Sequence, residues 1–463
     1  MRNSAVSTRK TIMWAVTLFL PLLIMTIPLT GSFTQEMKCF FAVTLFVIFL
    51  WAFELMPFVI PAILLPVLYL VTGIATPAAA FAPWGHYIPW MLLAGMILTH
   101  IFDDAGLLRR ISYWAILKTG GSFSGLLYGL MISGIIIALI LPDIASRAVL
   151  FVAISFGICK ALKLPPLSKR ASAVMLAGIM SALTPSYIYY TSAAQTLIAW
   201  EAAKAAGFSI SWLQYLLYNG FPTLVWCFVT ILMIQLMFGG AQKENYKVYF
   251  EEEYRKMGGL NAKEKKLAVL SLALSLFVIL ESYHGIAVGW GFVAAVFICY
   301  LPGINLGTEH SYKDANYALV IFVASCMAIG AVSNQLGAGI FIAEILQPYI
   351  SGGLVHTVAA SWLMAVILNF VMTPLAAVAC LSGPLAGIVS ANPEAAIVPV
   401  MYAWNQGLEQ IILPYEYALI LLAFGYGYIS LKHFIGYFSV RMVANIVFIL
   451  VFCIPFWLLV GAV

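Results

Sequence analysis

The chain has 463 residues, of which 63% are hydrophobic and 9% charged, and a formal net charge of +5. That balance leaves too little polar surface for a water-soluble domain and describes a polytopic membrane protein. Its seven cysteines and six histidines show no metal-ligand or redox spacing, so neither a metalloenzyme nor a bound cofactor is expected.

In chain order, Thr11–Thr30, Met37–Phe53, Phe58–Val71 and Tyr87–Phe102 read as four spans, the last closing on the charged turn DDAGLLRR (103–110). Gly121–Cys159 is apolar but broken at PDIASR (142–147). Pro142 removes a backbone donor and disfavours helix just before it. Asp143 and Arg147 would each cost about 2.5–3.5 kcal/mol at the centre of a plain span. A re-entrant hairpin, its tip buried in protein, accommodates both. Ala171–Lys204 is too long for one span and carries SALTPSYIYYTSAAQ (181–195) at its centre. Pro185 and this hydroxyl cluster predict an unwound helix lining a polar cavity. Trp212–Leu236 is a further span, and Gly239–Lys266 reads as a water-exposed connector with an interfacial amphipathic helix.

The second half follows the same plan. Leu267–Tyr283, Ala287–Leu301 and Tyr317–Ser333 are spans. Val355–Val389 is broken at MTPLAAVACLSGP (372–384), Val398–Glu416 is interrupted by NQGLEQ (405–410) and LPYE (413–416), and Met442–Leu459 is the last span. Gly337 falls 231 residues after Gly106, and Thr373-Pro374 falls 231 after Pro142-Asp143. GFSISWLQY (207–215) is echoed by GYISLKHF (427–434). The expectation is an all-α polytopic membrane protein, about 11 transmembrane helices plus two re-entrant hairpins, in the inverted repeat of an alternating-access transporter.

Threading these spans places Arg2, Arg9, Lys10, Arg109, Arg110, Lys118, the basic loop 160–170, the connector, Lys313, Lys432 and Arg441 on one side, against Lys38 and Lys204 opposite. By the positive-inside rule that side, with the N-terminus, is the cytoplasmic face of the inner (cytoplasmic) membrane. The same distribution assigns the positive charge to the bilayer, not to nucleic acid. The first span lacks a small-residue cleavage site and reads as a retained anchor.

FELMPFVIPAILLPVLYLVTGI (53–74) resembles the Glu-hydrophobic-Pro opening of the divalent anion/sodium symporter (DASS) family. LLAGMILTHIFDDAGLLRRISYWAI (92–116) is similar to that family's glycine-rich span and its Gly-Leu-basic turn, and the resemblance runs in order along nearly the whole chain. It implies a homodimer in the lipid bilayer whose transport domain moves like an elevator against a scaffold. The scaffold would comprise residues 1–120 and 267–352, the transport domain 121–239 and 353–463, with a cytoplasmic connector at 240–266. The family's hairpin tips carry Ser-Asn-Thr, which holds sodium and touches substrate carboxylates. Here the tips read Pro142-Asp143-Ile144-Ala145-Ser146-Arg147 and Met372-Thr373-Pro374-Leu375, and the Thr-Pro-Pro-Asn-like stretch becomes Tyr190-Thr191-Ser192-Ala193. These departures leave sodium, proton and exchange coupling open.

Arg147 is the first candidate for an anionic substrate, because a guanidinium fork matches a carboxylate or a sulfate. Its competing reading is an internal pair with Asp143, one helical turn away. Asp143 reads as a proton carrier or as the partner of a built-in cation at Arg147. Ser146 shares their tip. Ser181, Thr184, Ser186, Thr191 and Ser192 offer hydroxyls from the broken helix, either to substrate or to freed backbone groups. Thr373, Asn405, Gln410 and Glu416 are their counterparts in the second half. Glu409 and Glu416 can titrate, the latter as a coupling-ion candidate, or sit at the aqueous end of the break. Glu54 reads as a helix-end residue. The function expected is secondary transport of a small dianionic, C4-dicarboxylate-like substrate. The rivals are an inorganic anion carrier and a scaffold protein that has lost transport.

Overall fold

The computed structural model describes residues 2–30, 33–53, 55–239, 246–338, 341, 352–370, 373–392 and 395–463. Glu54, Met372 and residues 342–351 of the second scaffold segment lie outside the described residues. All described secondary structure is helical. Among the described residues, six helices are long and apolar enough to cross a membrane: Gln35–Ala52, Phe123–Ile140, Ile144–Ala161, Trp212–Phe238, Glu309–Ser333 and Leu431–Val460. Tyr87–Asp104 and Leu107–Lys118 make a seventh when taken as one span bent by 69°. That bend falls at Gly106, whose φ of +80° is a left-handed conformation that side chains resist. Val59–Val71, Val288–Tyr300, Leu354–Asn369 and Pro374–Ser390 are shorter apolar helices. This is a polytopic helical membrane protein.

The helices begin where short polar side chains can satisfy the first orphan amides. Ser122 Oγ accepts from Gly125 N at 3.1 Å, Ser168 Oγ from Ala171 N at 3.2 Å, and Ser430 Oγ from His433 N at 3.2 Å. Segment 121–161 folds as two arms, Phe123–Ile140 and Ile144–Ala161, joined through Leu141-Pro142-Asp143. The next segment is the broken helix read from sequence. Lys169–Leu183 gives way to two 3₁₀ turns, Thr184–Tyr187 and Tyr190–Ser192, before helix resumes over Ala194–Ala205. The second half repeats the order: Leu354–Asn369, Pro374–Ala391, Ile397–Leu408, a break, then Ala418–Gly425. Gly337 shares the positive φ of Gly106, and Gly427 that of Gly207.

Packing divides the chain into two units. One comprises Met1–Pro89, Ile198–Phe208 and Asn316–Leu408. In it, Tyr69 OH and Thr44 Oγ1 meet at 2.7 Å, and Ser325 Oγ donates to the Ala62 carbonyl. Leu354–Asn369 and Pro374–Ala391 both pack on Ile397–Leu408, where Trp404 Nε1 donates to Ser382 Oγ at 3.1 Å. The other unit comprises Trp90–Leu197, Ser209–Ala315 and Glu409–Val463. Here the hairpin arms pack on Lys169–Leu183 closely enough that a Cβ on Gly134 would lie 2.0 Å from the Ser181 carbonyl oxygen.

Three readings from sequence change. The last span is longer than Met442–Leu459: helix Leu431–Phe448 continues through a π segment, Ile449–Cys453, to Val460. Arg441 therefore sits inside a span, fully buried, and not in a connection. The interruption after Val398 starts at Glu409, because Asn405-Gln406-Gly407 remain helical. The connector is docked, not merely solvated. Phe250 of helix Lys247–Lys256 is buried, with its ring 5.8 Å from that of Tyr113. Arg110 Nε donates to Glu264 Oε1 at 2.6 Å and its Nη1 to the Gly258 carbonyl at 2.9 Å.

Candidate functional site

The 3₁₀ turn Thr184–Tyr187 is where the unwound helix presents side chains to two buried arginines. It forms because Pro185 lacks the amide that would continue Lys169–Leu183 as α-helix. Its hydroxyls at 184 and 186 are two residues apart, and one arginine addresses each.

Arg147 lies in the first turn of the second hairpin arm and is fully buried. Its Nη2 donates to Ser186 Oγ at 2.6 Å and to the Ser192 carbonyl at 2.9 Å. Nε and Nη1 are buried and have no partner within the protein. A guanidinium carries five N–H donors, and leaving those of Nε and Nη1 unpaired in low dielectric is costly. Three of the hydroxyl residues read from sequence converge on this region. Ser186 Oγ also donates to the Ala182 carbonyl, Ser192 Oγ donates to the Ala138 carbonyl of the first arm at 2.8 Å, and Thr191 Oγ1 accepts from Trp212 Nε1 at 3.4 Å.

Asp143 does not pair with Arg147. It is the N-cap of its arm, accepting from Ala145 N at 3.1 Å and Ser146 N at 3.0 Å, and from the Ser146 hydroxyl. The reading of Asp143 as the ion-pair partner of Arg147 is corrected on this point. A carboxylate at an N-cap satisfies amides and faces the positive helix end, so the capping contacts outcompete the guanidinium. Ser146 also lines a cavity of about 430 Å³ that runs along the second arm to Gly157, opposite Thr99, Asp103 and Arg109.

Arg441 was missed as a site residue because the count of cations by side assigned it to a connection. The signal was present: a single arginine flanked by apolar sequence in YFSVRMVANIVF (437–448), the same pattern as Arg147. Its Nη2 stands 2.9 Å from Glu409 Oε2 and 3.5 Å from Thr184 Oγ1, and its Nη1 donates to Gln410 Oε1 at 3.2 Å. The Trp226 ring lies under it, 5.6 Å from the guanidinium carbon. Glu409 and Arg441 form a close buried ion pair, and Arg441 Nε has no hydrogen-bond partner.

The remaining candidates have local roles. Ser181 Oγ donates back to the Ala177 carbonyl at 2.6 Å. Glu416 closes its own loop, accepting from Leu413 N at 2.8 Å and Ile412 N at 3.2 Å. In the first packing unit, Thr373 caps its helix by accepting from Ala376 N at 3.4 Å, and Asn405 Nδ2 donates to the Met401 carbonyl at 2.9 Å. Among the described residues, no group of three or more His, Cys, Asp or Glu forms a metal-binding cluster.

A family model for the sodium:sulfate symporter transmembrane region matches residues 8–463. The chain is 22% identical over 411 residues to the putative malate transporter YflS of Bacillus subtilis, covering 84% of this chain and 82% of that protein. It is 23% identical over 369 residues to the L-tartrate/succinate antiporter of Shigella flexneri, covering 76% of this chain and 74% of the relative. It is also 23% identical over 303 residues to the chloroplastic dicarboxylate transporter 1 of Spinacia oleracea, covering 64% of this chain and about half, 52%, of the relative.

Proposed function

Since the chain belongs to the sodium:sulfate symporter family by a match over residues 8–463, and that family and its relatives are transporters and not enzymes, we propose that it carries small dianionic carboxylates, C4-dicarboxylate-like, across the cytoplasmic membrane. The observation that carries the reading is Arg147: fully buried at a hairpin tip, with Nε and Nη1 unpartnered in the protein. Nε and Nη1 each keep an N–H donor, on different sides of the planar guanidinium, and each can give a charge-assisted hydrogen bond to an anion oxygen. Ser186 and the Ser192 carbonyl hold Nη2, so the guanidinium is fixed in place with its other donors free for an anion. The cavity beginning at Ser146 is the approach to the tip.

Transport would proceed by an elevator motion of an inverted repeat within a homodimer. The repeated order of hairpin and broken helix, and the matching left-handed glycines at 106 and 337 and at 207 and 427, support the repeat. Residues 121–239 and 353–463 would move against 1–120 and 267–352. A guanidinium fixed beside the anion supplies positive charge that a co-transported sodium would otherwise bring, so transport is expected to be indifferent to sodium.

The test is uptake of labelled succinate into proteoliposomes preloaded with unlabelled succinate, with sulfate as competitor. Arg147→Gln is expected to slow uptake about 100-fold, which corresponds to the roughly 3 kcal/mol of a buried charge-assisted contact. Arg147→Lys should retain a fraction. Full uptake by Arg147→Gln would remove the anion site from Arg147. Sulfate uptake with no succinate uptake would replace the substrate class with inorganic anions, which the same fork also fits. No uptake of either would leave the transport-inactive scaffold.

A further inference from the structure

Two cations and two carboxylates, Arg147, Arg441, Asp143 and Glu409, lie buried on the segments around the turn Thr184–Tyr187. Formally they cancel, so a dianion added there brings two uncompensated negative charges into low dielectric, which is strongly unfavourable. Arg147 has free N–H donors at Nε and Nη1 for an anion oxygen, and Arg441 holds the protein carboxylate nearest to it, Glu409, at 2.9 Å. Arg441 Nε is also buried without a hydrogen-bond partner, so the guanidinium holds a donor that Glu409 does not use. Thr184 and Gln410 remain on Arg441 when Glu409 withdraws. Tyr437 from the last span, Tyr187 from the turn, Cys227 from helix Phe221–Phe238 and Tyr417 from the following loop also lie within electrostatic range of the Glu409 carboxylate, none of them cationic.

We propose that Glu409 and Arg441 form a proton-coupled second half of the anion site: Glu409 takes a proton from water and releases Arg441 to the substrate's second carboxylate, so that a proton crosses with each dianion. On the far side the substrate leaves, Glu409 returns the proton to water, and its carboxylate closes again on Arg441. The inference rests on the dicarboxylate reading above. It differs from that reading in assigning coupling to a residue pair away from the hairpin tip.

The experiment uses the full chain in proteoliposomes with a trapped pH dye at a starting pH of about 7.5, where succinate is almost wholly dianionic. Succinate added outside is expected to acidify the lumen of wild-type vesicles, and an acid-outside gradient to accelerate labelled uptake at least fivefold. Glu409→Gln, which keeps an oxygen acceptor for Arg441 but cannot exchange a proton, should lose both the lumenal acidification and the gradient acceleration. Wild-type uptake without lumenal acidification would overturn the proposal whether or not the variant folds, and so would a Glu409→Gln protein still accelerated by the gradient. Either result leaves the dicarboxylate reading standing. Absence of wild-type succinate counterflow overturns that reading, and this inference with it.

Discussion

Arg147 and Arg441 are both fully buried, yet the surroundings of each assign different consequences to removing it. Arg147 leaves Nε and Nη1 without hydrogen-bond partners, so its replacement removes unsatisfied buried donors while deleting the anion contact. Thermal stability of Arg147→Gln in detergent is therefore expected to match or exceed that of the wild type even as transport collapses. Arg441 is paired with Glu409, and Arg441→Met leaves that carboxylate buried without its cation. A loss of about 3–5 kcal/mol is expected, read as a marked drop in the melting temperature of the purified protein. Combining it with Glu409→Gln should recover most of the loss, because the stranded charge is gone. A double variant no more stable than Arg441→Met would show that the two side chains do not form the pair seen here.

The hairpin and the broken helix depend on a close approach between backbones. Gly134 on the first arm meets the Ser181 carbonyl, and Gly95 of helix Tyr87–Asp104 meets the Pro142 ring, with a Cβ at Gly95 lying 2.3 Å from Pro142 Cγ. Neither contact has room for a side chain. Gly134→Val is expected to cost about 1–3 kcal/mol through overpacking and to displace the arm that carries the Ser192 contact, reducing transport. Gly157→Ala on the second arm, where nothing lies within 4 Å of the added carbon, should be neutral on both counts. Parallel measurements of melting temperature and succinate counterflow test the pair, and equal effects at the two positions would contradict the packing. The broken helix was legible because Pro185 and a run of hydroxyl residues interrupt an apolar segment. The second break was misplaced by four residues because Asn405 and Gln406 look like interruptions in sequence. They stay helical inside a fully buried face that contains Trp404 and Met401.

For the whole molecule, the distribution of cations predicts which ends of the helices face the cytoplasm. Lys256, at the end of the connector helix, and Tyr283, an exposed residue between Ala262–Ile279 and Val288–Tyr300, lie at opposite ends of helix Ala262–Ile279. In a background without native cysteines, Lys256→Cys should react with a membrane-impermeant maleimide only from the cytoplasmic side, and Tyr283→Cys only from outside. Reversed labelling would invert the proposed orientation. The docking of the connector through Arg110 and Glu264 ties it to helix Leu107–Lys118, so it is expected to resist proteolysis in the folded protein.

The sequence alone determined that this is a helical membrane protein with a charged, broken hairpin followed by an unwound helix. Long apolar runs, prolines and intramembrane charges are costly enough in a bilayer to admit few other arrangements. It also marked Arg147 as a guanidinium at the hairpin tip, because few settings accommodate a guanidinium at such depth. Partner choice was decided only by the tertiary structure. Asp143, one turn from Arg147, was taken up by the helix amides beside it. Glu409 and Arg441, 32 residues apart, met because two elements distant in sequence pack at the same turn. Spacing along a chain fixes which groups are able to meet within one helix. Which ones do meet depends on competition with backbone amides and with side chains brought in by packing, and that competition is resolved only in three dimensions.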